Sequence, residues 1–332
     1  MATLKDVARL ACVDVSTVSR ALNNTSYVHP ETKERIYAAA KELGYRPNAV
    51  AKALRQGRSN TIGVVIPRLH LAIFSEILQG LEEEAMRRGY FTVVSVTEDD
   101  PAVEKHCLEK LRTSTVDGII IAATGRNNRL LRDIKAGGIS VIQLVRRQEP
   151  RMSSVVADYE ACGYEAVKYL FAKGCREIGI IDGSEWLAPY RDRREGYRKA
   201  IESLGLEPNY SSCTDHAVNS FDYGYECACQ LLEDNAELDA IIASVDIQGL
   251  GAIRAIKEAG KKIPDDVRVI SLTGHAVGGM LQTTMTSMEI PAQEMGRRAA
   301  QILIDDIEAP ANKKPGISHL TLAASLVERE ST

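Results

Sequence analysis

The chain has 332 residues, 45% of them hydrophobic and 26% charged, ordinary globular proportions that exclude a collagen-like, coiled-coil or wholly disordered polymer. That length predicts two or three compact units. No apolar run approaches the roughly 18 residues of a membrane helix, and the first ten residues are amphipathic rather than a basic stub before an apolar core, so a cytoplasmic protein without a membrane partner is expected. The seven cysteines are scattered without a CxxC pair and read as reduced, small apolar residues. Cys227-x-Cys229 is a weak metal hint without partner ligands, so neither a metal nor another cofactor is expected.

The net charge of −4 hides an asymmetry: residues 1–60 carry +5 and the remaining 272 carry −9. A small basic head on a large acidic body is expected when only the head meets phosphates.

In the head, Thr3 and Asp6 resemble a capping box opening a helix over about 4–11 with Val7, Ala8 and Ala11 on one face. Cys12-Val13 makes a tight connection, and Asp14 caps a second helix over about 15–22 with Val15, Val18 and Leu22 as its apolar stripe. Asn23-Asn24 ends it. Pro30 at a first helical turn, apolar positions at Ile36, Ala39, Ala40 and Leu43, and Gly44 as the residue after the end predict a third helix. Three short helices with a turn of about three residues between the first two match a helix-turn-helix module. Ser16, Thr17, Ser19 and Arg20 on the second helix offer hydroxyls and one guanidinium to phosphates and base edges, although a solvated face has the same composition.

The string TLKDVARLACVDVSTVSRALNN, followed by YRPNAVAKAL, resembles the amino-terminal region of the lactose-repressor/galactose-repressor family of bacterial transcription regulators. The resemblance implies that Val15 and Ser16 select the operator, that Thr17 and Ser19 hold the DNA backbone, and that Arg20 reaches a base edge, with Thr3 and Asn23 among the DNA contacts. It also implies a hinge helix from Pro47 to Leu54, in which Asn48 and Ala51 meet DNA and Leu54 is wedged between base pairs in the minor groove beside a dimer mate. Eight residues are marginal as a free helix. Cys12 stands where the family often has glycine, which is costly if that residue is left-handed.

From Thr61 onward the pattern becomes apolar runs alternating with amphipathic helices: TIGVVIP, FTVVSV, DGIIIA, ISVIQLV, SSVVAD, EIGIID, LDAIIAS and VRVISL. Continuous Val/Ile runs indicate strands buried on both faces of parallel sheets, in one large sheet or two lobes. No GxGxxG, GxxxxGK[ST], GxSxG or HExxH motif follows them, which lowers the case for an enzyme. The resemblance continues through this body and favours two lobes. The expected fold is α/β: a two-lobed, periplasmic-binding-protein-like core of parallel doubly wound sheets behind an all-α helix-turn-helix head. The expected domains are a head at 1–46, a hinge and linker at 47–59, and a core at 60–332. Lobe 1 spans about 61–160 and 290–320, and lobe 2 about 161–289 and 321–330, including a final strand near LTLAASLVERE.

A ligand of such a body sits where strand carboxyl ends meet. Asp158 and Asp246 end two apolar runs and Arg193 lies beyond a third; by the resemblance these bind effector, carboxylate and guanidinium together suiting vicinal sugar hydroxyls. Phe74 and Trp186, the single tryptophan, are candidates to stack on a sugar face. Where the family commonly has an acidic pair, this chain has Ser271-Leu272-Thr273-Gly274-His275, so no particular sugar is implied, and His275 is a candidate donor or a solvated loop residue.

The leading expectation is a homodimeric regulator, a repressor that binds pseudo-palindromic double-stranded operator DNA under control of a small effector, a sugar or sugar phosphate. The chain stops directly after LTLAASLVERE, without the carboxyl-terminal heptad helix of some tetrameric relatives, so the oligomer is expected to stop at two. A sugar-binding transport protein is the alternative, disfavoured by the basic head and absent export signal, and an enzyme with a DNA-binding head is a distant third.

Overall fold

The chain divides into two units, residues 1–59 and 60–332. The computed structural model describes residues 2–23, 26–45, 58–114, 116–213 and 217–332, without the side chains of Asn23 and Ala311. In the first unit α1 (Leu4–Leu10), α2 (Val15–Asn23) and α3 (Pro30–Glu42) occupy the three expected segments. The capping box is formed: Asp6 Oδ2 accepts the Thr3 N–H at 2.9 Å and the Thr3 hydroxyl at 2.7 Å, and the Asp6 N–H donates to Thr3 Oγ1 at 3.4 Å. Pro30 begins α3 and Gly44, at φ +58°, follows its end. Val7, Val18, Ala21, Ile36 and Ala39 form the small core between the helices. The expected hinge, with Asn48, Ala51 and Leu54, lies outside the described residues.

The second unit settles the choice between one sheet and two. Its strands are β1 (Thr61–Ile66), β2 (Phe91–Val96), β3 (Gly118–Ile121), β4 (Ser140–Leu144), β5 (Ser154–Ala157), β6 (Ile178–Ile181), β7 (Asn209–Ser211), β8 (Ala240–Ala243), β9 (Arg268–Ser271), β10 (Thr286–Glu289), β11 (His319–Leu322) and β12 (Ser325–Val327). They form two six-stranded sheets, in the orders β11-β5-β4-β3-β1-β2 and β12-β10-β9-β8-β6-β7. Every pairing is parallel except that of β10 with β12. We call the first sheet with its helices lobe 1 and the second lobe 2.

All eight apolar runs are strands, and two strands carried no such signal. β7 has three residues at a sheet edge, and β10 is the polar string Thr-Ser-Met-Glu. Burial of β10 is made possible by tertiary partners: the Thr286 N–H donates to Ser331 Oγ at 2.8 Å and Arg329 Nη1 to Ser287 Oγ at 2.9 Å. The expected final strand of lobe 2 is corrected to two strands. β11 joins β5 in lobe 1 and β12 joins β10 in lobe 2, because the chain crosses between the lobes at 323–324.

The helices cover both sheets on both faces. In lobe 1, α4 (Ala72–Arg87) and α11 (Ala292–Glu308) pack on one side around Ile62, Ile77, Leu81, Met295 and Leu303, and α5 (Pro101–Thr113) and α6 (Asn128–Ala136) pack on the other around Leu108, Ile119 and Leu131. In lobe 2, α7 (Tyr159–Ala172) and α8 (Ala188–Leu204) form one layer, and α9 (Phe221–Asp234) and α10 (Asp246–Glu258) the other. Three of these four helix pairs, all but α5 with α6, cross on glycines. A Cβ on Gly80 would lie 2.0 Å from the Gln293 carbonyl oxygen, one on Gly163 2.1 Å from that of Arg193, and one on Gly224 2.3 Å from that of Gln248. A side chain there is excluded by the backbone of the neighbouring helix.

The edge strand β2 leaves Phe91 (76% exposed), Val93 and Val94 on the surface. In lobe 2, Phe221, Val277 and Met280 are also exposed. No helix among the described residues is long and apolar enough to cross a membrane, and no three His, Cys, Asp or Glu side chains among them gather as for a metal ion.

Candidate DNA-reading helix and ligand cleft

The turn into α2 is built on Cys12, whose φ of +52° places it in the left-handed region. The turn closes when the Val13 N–H donates to the Ala8 carbonyl at 3.0 Å, and α2 begins as the Asp14 carbonyl accepts from Thr17 and Val18. Val18 and Ala21 face inward, while Val15 is 40% exposed, so Val15 leaves the apolar stripe assigned to it and stands outward beside Ser16. A valine at the exposed first turn contributes nothing to the core and is free for an apolar contact. Arg20 lies along the same surface, its Nε donating to the Ser16 carbonyl and its Nη2 to Thr17 Oγ1, both at 3.3 Å. Thr17 and Ser19 are partly exposed. Thr3 is exposed, with its hydroxyl spent on Asp6. Asn23 ends α2, and its side chain lies outside the described residues, as do Asn48, Ala51 and Leu54.

In the second unit, strand carboxyl ends of both lobes line a cavity of about 40 Å³ that opens to solvent. Phe74 from α4 and Arg193 from α8 line it, as the sequence indicated. So do Thr273, from the neutral strand end noted in the sequence, and four residues the sequence did not single out, Asp99 and Arg146 from lobe 1 and Tyr159 and Tyr190 from lobe 2. The strand-end rule applied to every run would have found Arg146, two residues beyond β4, and Asp99, three beyond β2.

Unusual backbone aims these side chains. Glu98, Asp99 and Val145 have φ of +51°, +60° and +65°. For a β-branched residue such as Val145 this is a strained conformation, and the Arg146 N–H donating to the Leu144 carbonyl at 2.7 Å closes a γ-turn around it. Strain of this kind persists where the surroundings over-determine it, and here it turns Arg146 back toward Asp99. Asp99 is shared, with Oδ1 at 2.5 Å from Arg146 Nη1 and Oδ2 at 2.5 Å from Arg68 Nη1. The Arg193 guanidinium lies 4.7 Å from the Tyr159 ring centroid. Burial pushes the phenols of Tyr159 and Tyr190 up to about 12, against the opposing pull of Arg193, so both are protonated at neutral pH.

An adjoining cavity of about 210 Å³ holds Asp246 and His275 among Leu71, Ala72, Val245 and Ile247. Asp246, the first residue of α10, accepts from the Ser271 hydroxyl and from the Gly274 N–H at 3.1 Å, while its Oδ2 is buried without a partner. His275 is buried, not a solvated loop residue, with Nδ1 at 3.1 Å from Glu76 Oε1 of lobe 1 and Nε2 at 3.9 Å from Asp246 Oδ2.

Two candidates fall outside both cavities. Asp158 accepts the Ala161 N–H at 3.0 Å and caps α7, beside an opening lined by Arg147, Arg191 and Asp192. The cap takes it because a carboxylate directly before a helix satisfies an otherwise unpaired N–H. Trp186 is 39% exposed at the meeting of the lobes, its carbonyl accepting from Gln148 Nε2 at 3.4 Å and its ring 5.9 Å from the Arg126 guanidinium.

Comparison with known proteins accounts for both units. Residues 3–48 match the family model described as bacterial regulatory proteins of the lacI family, and residues 59–324 match the model described as periplasmic binding proteins and sugar binding domain of the LacI family. The chain is 32% identical over 333 residues to the ribose operon repressor of Halalkalibacterium halodurans, covering 100% of this chain and 97% of that protein. It is 31% identical to the HTH-type transcriptional repressor PurR of Haemophilus influenzae, covering 100% and 98%. The crystal structure of the Lac repressor bound to ONPG in its repressed state superposes with a TM-score of 0.87 at 25% identity, covering 100% of this chain and 99% of that one. A helix-turn-helix head that leaves Val15, Ser16 and Arg20 on its surface and a two-lobed body with a polar cavity are the two working parts of one kind of molecule: the chain belongs to the LacI family of bacterial regulatory proteins and is a DNA-binding transcription regulator under effector control.

Proposed function

We propose that this regulator is a cytoplasmic, non-catalytic repressor that binds a pseudo-palindromic double-stranded operator as a homodimer. Val15, Ser16, Thr17, Ser19 and Arg20 meet the major groove, with Thr3 and Asn23 beside them, and residues 47–59 act as hinge and linker, with Asn48, Ala51 and Leu54 toward the minor groove. The observation that carries this reading is the exposure of Val15 at the head of α2 with Ser16 and Arg20 alongside, a surface with no role in the head's own core. The apolar edge of β2, exposed at Phe91, Val93 and Val94, supports pairing of two copies through lobe 1.

The effector is a sugar or sugar phosphate held between the lobes by Phe74, Arg193 and Asp246, with His275 on the wall. The ribose operon repressor among the relatives supports a sugar. Closing the lobes on ligand respaces the paired hinges, and a coupling of about 1–3 kcal/mol changes operator affinity several-fold to about a hundredfold.

Selection of bound DNA from a randomised pool tests the reader. Arg20→Ala is expected to relax one base position in each half-site at a loss of about 1–3 kcal/mol. Wild-type base preference in that variant would remove Arg20 from the interface. For the cleft, Asp246→Ala is expected to abolish ligand response while leaving operator binding by the free protein intact, and Leu54→Ala to do the reverse.

A further inference from the structure

The hydrogen-bonding groups of the smaller cavity are out of balance. Arg193 is 3% exposed, pairs with no described carboxylate, and its Nε is buried without a partner. None of the carboxylates around the two cavities pairs with it. Asp99 is shared between Arg68 and Arg146, Asp246 accepts from Ser271 and Gly274, and Asp158 is spent on the N-terminus of α7. The Tyr159 hydroxyl and Arg146 Nε are also buried without partners. All three unmatched groups are donors, Arg146 contributed by lobe 1, Tyr159 and Arg193 by lobe 2.

A buried guanidinium without a counter-charge is costly, and the face of Tyr159 offsets only part of that cost. A neutral sugar hydroxyl can accept a hydrogen bond from Arg193 but leaves its charge uncompensated. We propose that the effector carries an anionic group, phosphate or carboxylate, that docks on Arg193 with Arg146 and Tyr159. This rests on the reading of the cleft as the effector site and narrows it to one chemical class. Guanidinium and anion match in a bidentate pair, and the protonated phenol donates to a further oxygen. The remainder of the molecule extends into the adjoining cavity, where the free oxygen of Asp246 accepts from a hydroxyl. Because Arg146 and Arg193 belong to different lobes, an anion held by both also draws the lobes together.

Thermal unfolding of the full chain at constant ionic strength tests this with inorganic phosphate and with malonate as probes, in wild type, Arg193→Met and Arg193→Gln. One of the two anions is expected to raise the wild-type Tm saturably at millimolar concentration, and both variants are expected to lose that rise. The anion that saturates assigns phosphate or carboxylate. Without any anion, Arg193→Met is expected to unfold at a higher temperature than wild type, because an uncompensated buried charge is gone. An equal, unsaturating rise in all three proteins, or no rise in any, would overturn the proposal. Glucose, ribose and cellobiose provide the separate check on the cleft itself. Saturable stabilisation by a neutral sugar that Asp246→Ala abolishes, with no anion effect, removes the anionic group and leaves the cleft as the site. Saturable anion binding that survives in both Arg193 variants removes the cleft.

Discussion

Glu76 of α4 and His275 after β9 meet across the two lobes, Oε1 to Nδ1 at 3.1 Å, with the His275 side chain 2% exposed. On its other side His275 faces Asp246, so one imidazole stands between carboxylates from opposite lobes. A double-mutant cycle with Glu76→Gln and His275→Gln, read by urea unfolding, is expected to give a coupling of about 0.5–3 kcal/mol. Strict additivity would show that the contact contributes nothing to lobe association.

Gly163 admits no side chain. With a Cβ placed 2.1 Å from the Arg193 carbonyl oxygen, α7 and α8 must separate. Gly163→Ala is expected to destabilise the body by about 1–3 kcal/mol despite alanine's better helix propensity. The same shift moves Arg193, so ligand binding is expected to weaken with stability. A more stable Gly163→Ala protein by thermal unfolding would mean that the two helices separate at no cost.

Cys12 carries the opposite error, a side chain where glycine fits better. An L-residue at φ +52° costs about 1–2 kcal/mol, partly offset in Cys12→Gly by the greater freedom of glycine in the unfolded chain. Cys12→Gly is therefore expected to stabilise the head, read as slower amide exchange in α1 and α3. Faster exchange would show that the strain is relieved elsewhere in the turn.

The capping box makes the head sensitive to acid. Hydrogen bonds from the Thr3 hydroxyl and then the Thr3 N–H hold the Asp6 carboxyl below its ordinary 3.8, with Arg9 adding a smaller pull. A lowered folded value means that this contribution is complete above the ordinary value and is lost as pH falls through the lowered one. Helical content of the head, followed by circular dichroism below about pH 4, should therefore decline less steeply in Asp6→Asn, which starts without the contribution. Identical acid limbs in the two proteins would remove Asp6 from the acid response.

Much of the molecule was legible because its signals are local. Thr3-x-x-Asp6, Pro30 and Gly44 mark helix ends through the hydrogen-bonding needs of their own turns, and seven of the eight Val/Ile runs mark strands buried on both faces, whereas β2, at a sheet edge, keeps Phe91, Val93 and Val94 exposed. The helix-turn-helix string and the likeness of the body carried the family. The candidate cleft was read only in part. Phe74, Arg193, Asp246 and His275 are at its two cavities, whereas Asp158 was taken by a helix cap and Trp186 by the lobe boundary.

By itself, then, the sequence determined the elements, the basic head and acidic body, and the family, since periodicity, caps and charge act over a few residues at a time. Only the tertiary structure decided which polar groups are left over. Whether an aspartate at a strand end faces a ligand or caps a helix depends on competing partners that are distant in the chain, as when Asp99 serves both Arg68 and Arg146. The same holds for β10, whose Thr286 and Ser287 are buried because Ser331 and Arg329 reach them, and for Gly163, whose missing side chain is required by the backbone of α8. Burial makes each such pairing matter, because a polar group without water must find its partner within the protein or leave the place for a ligand.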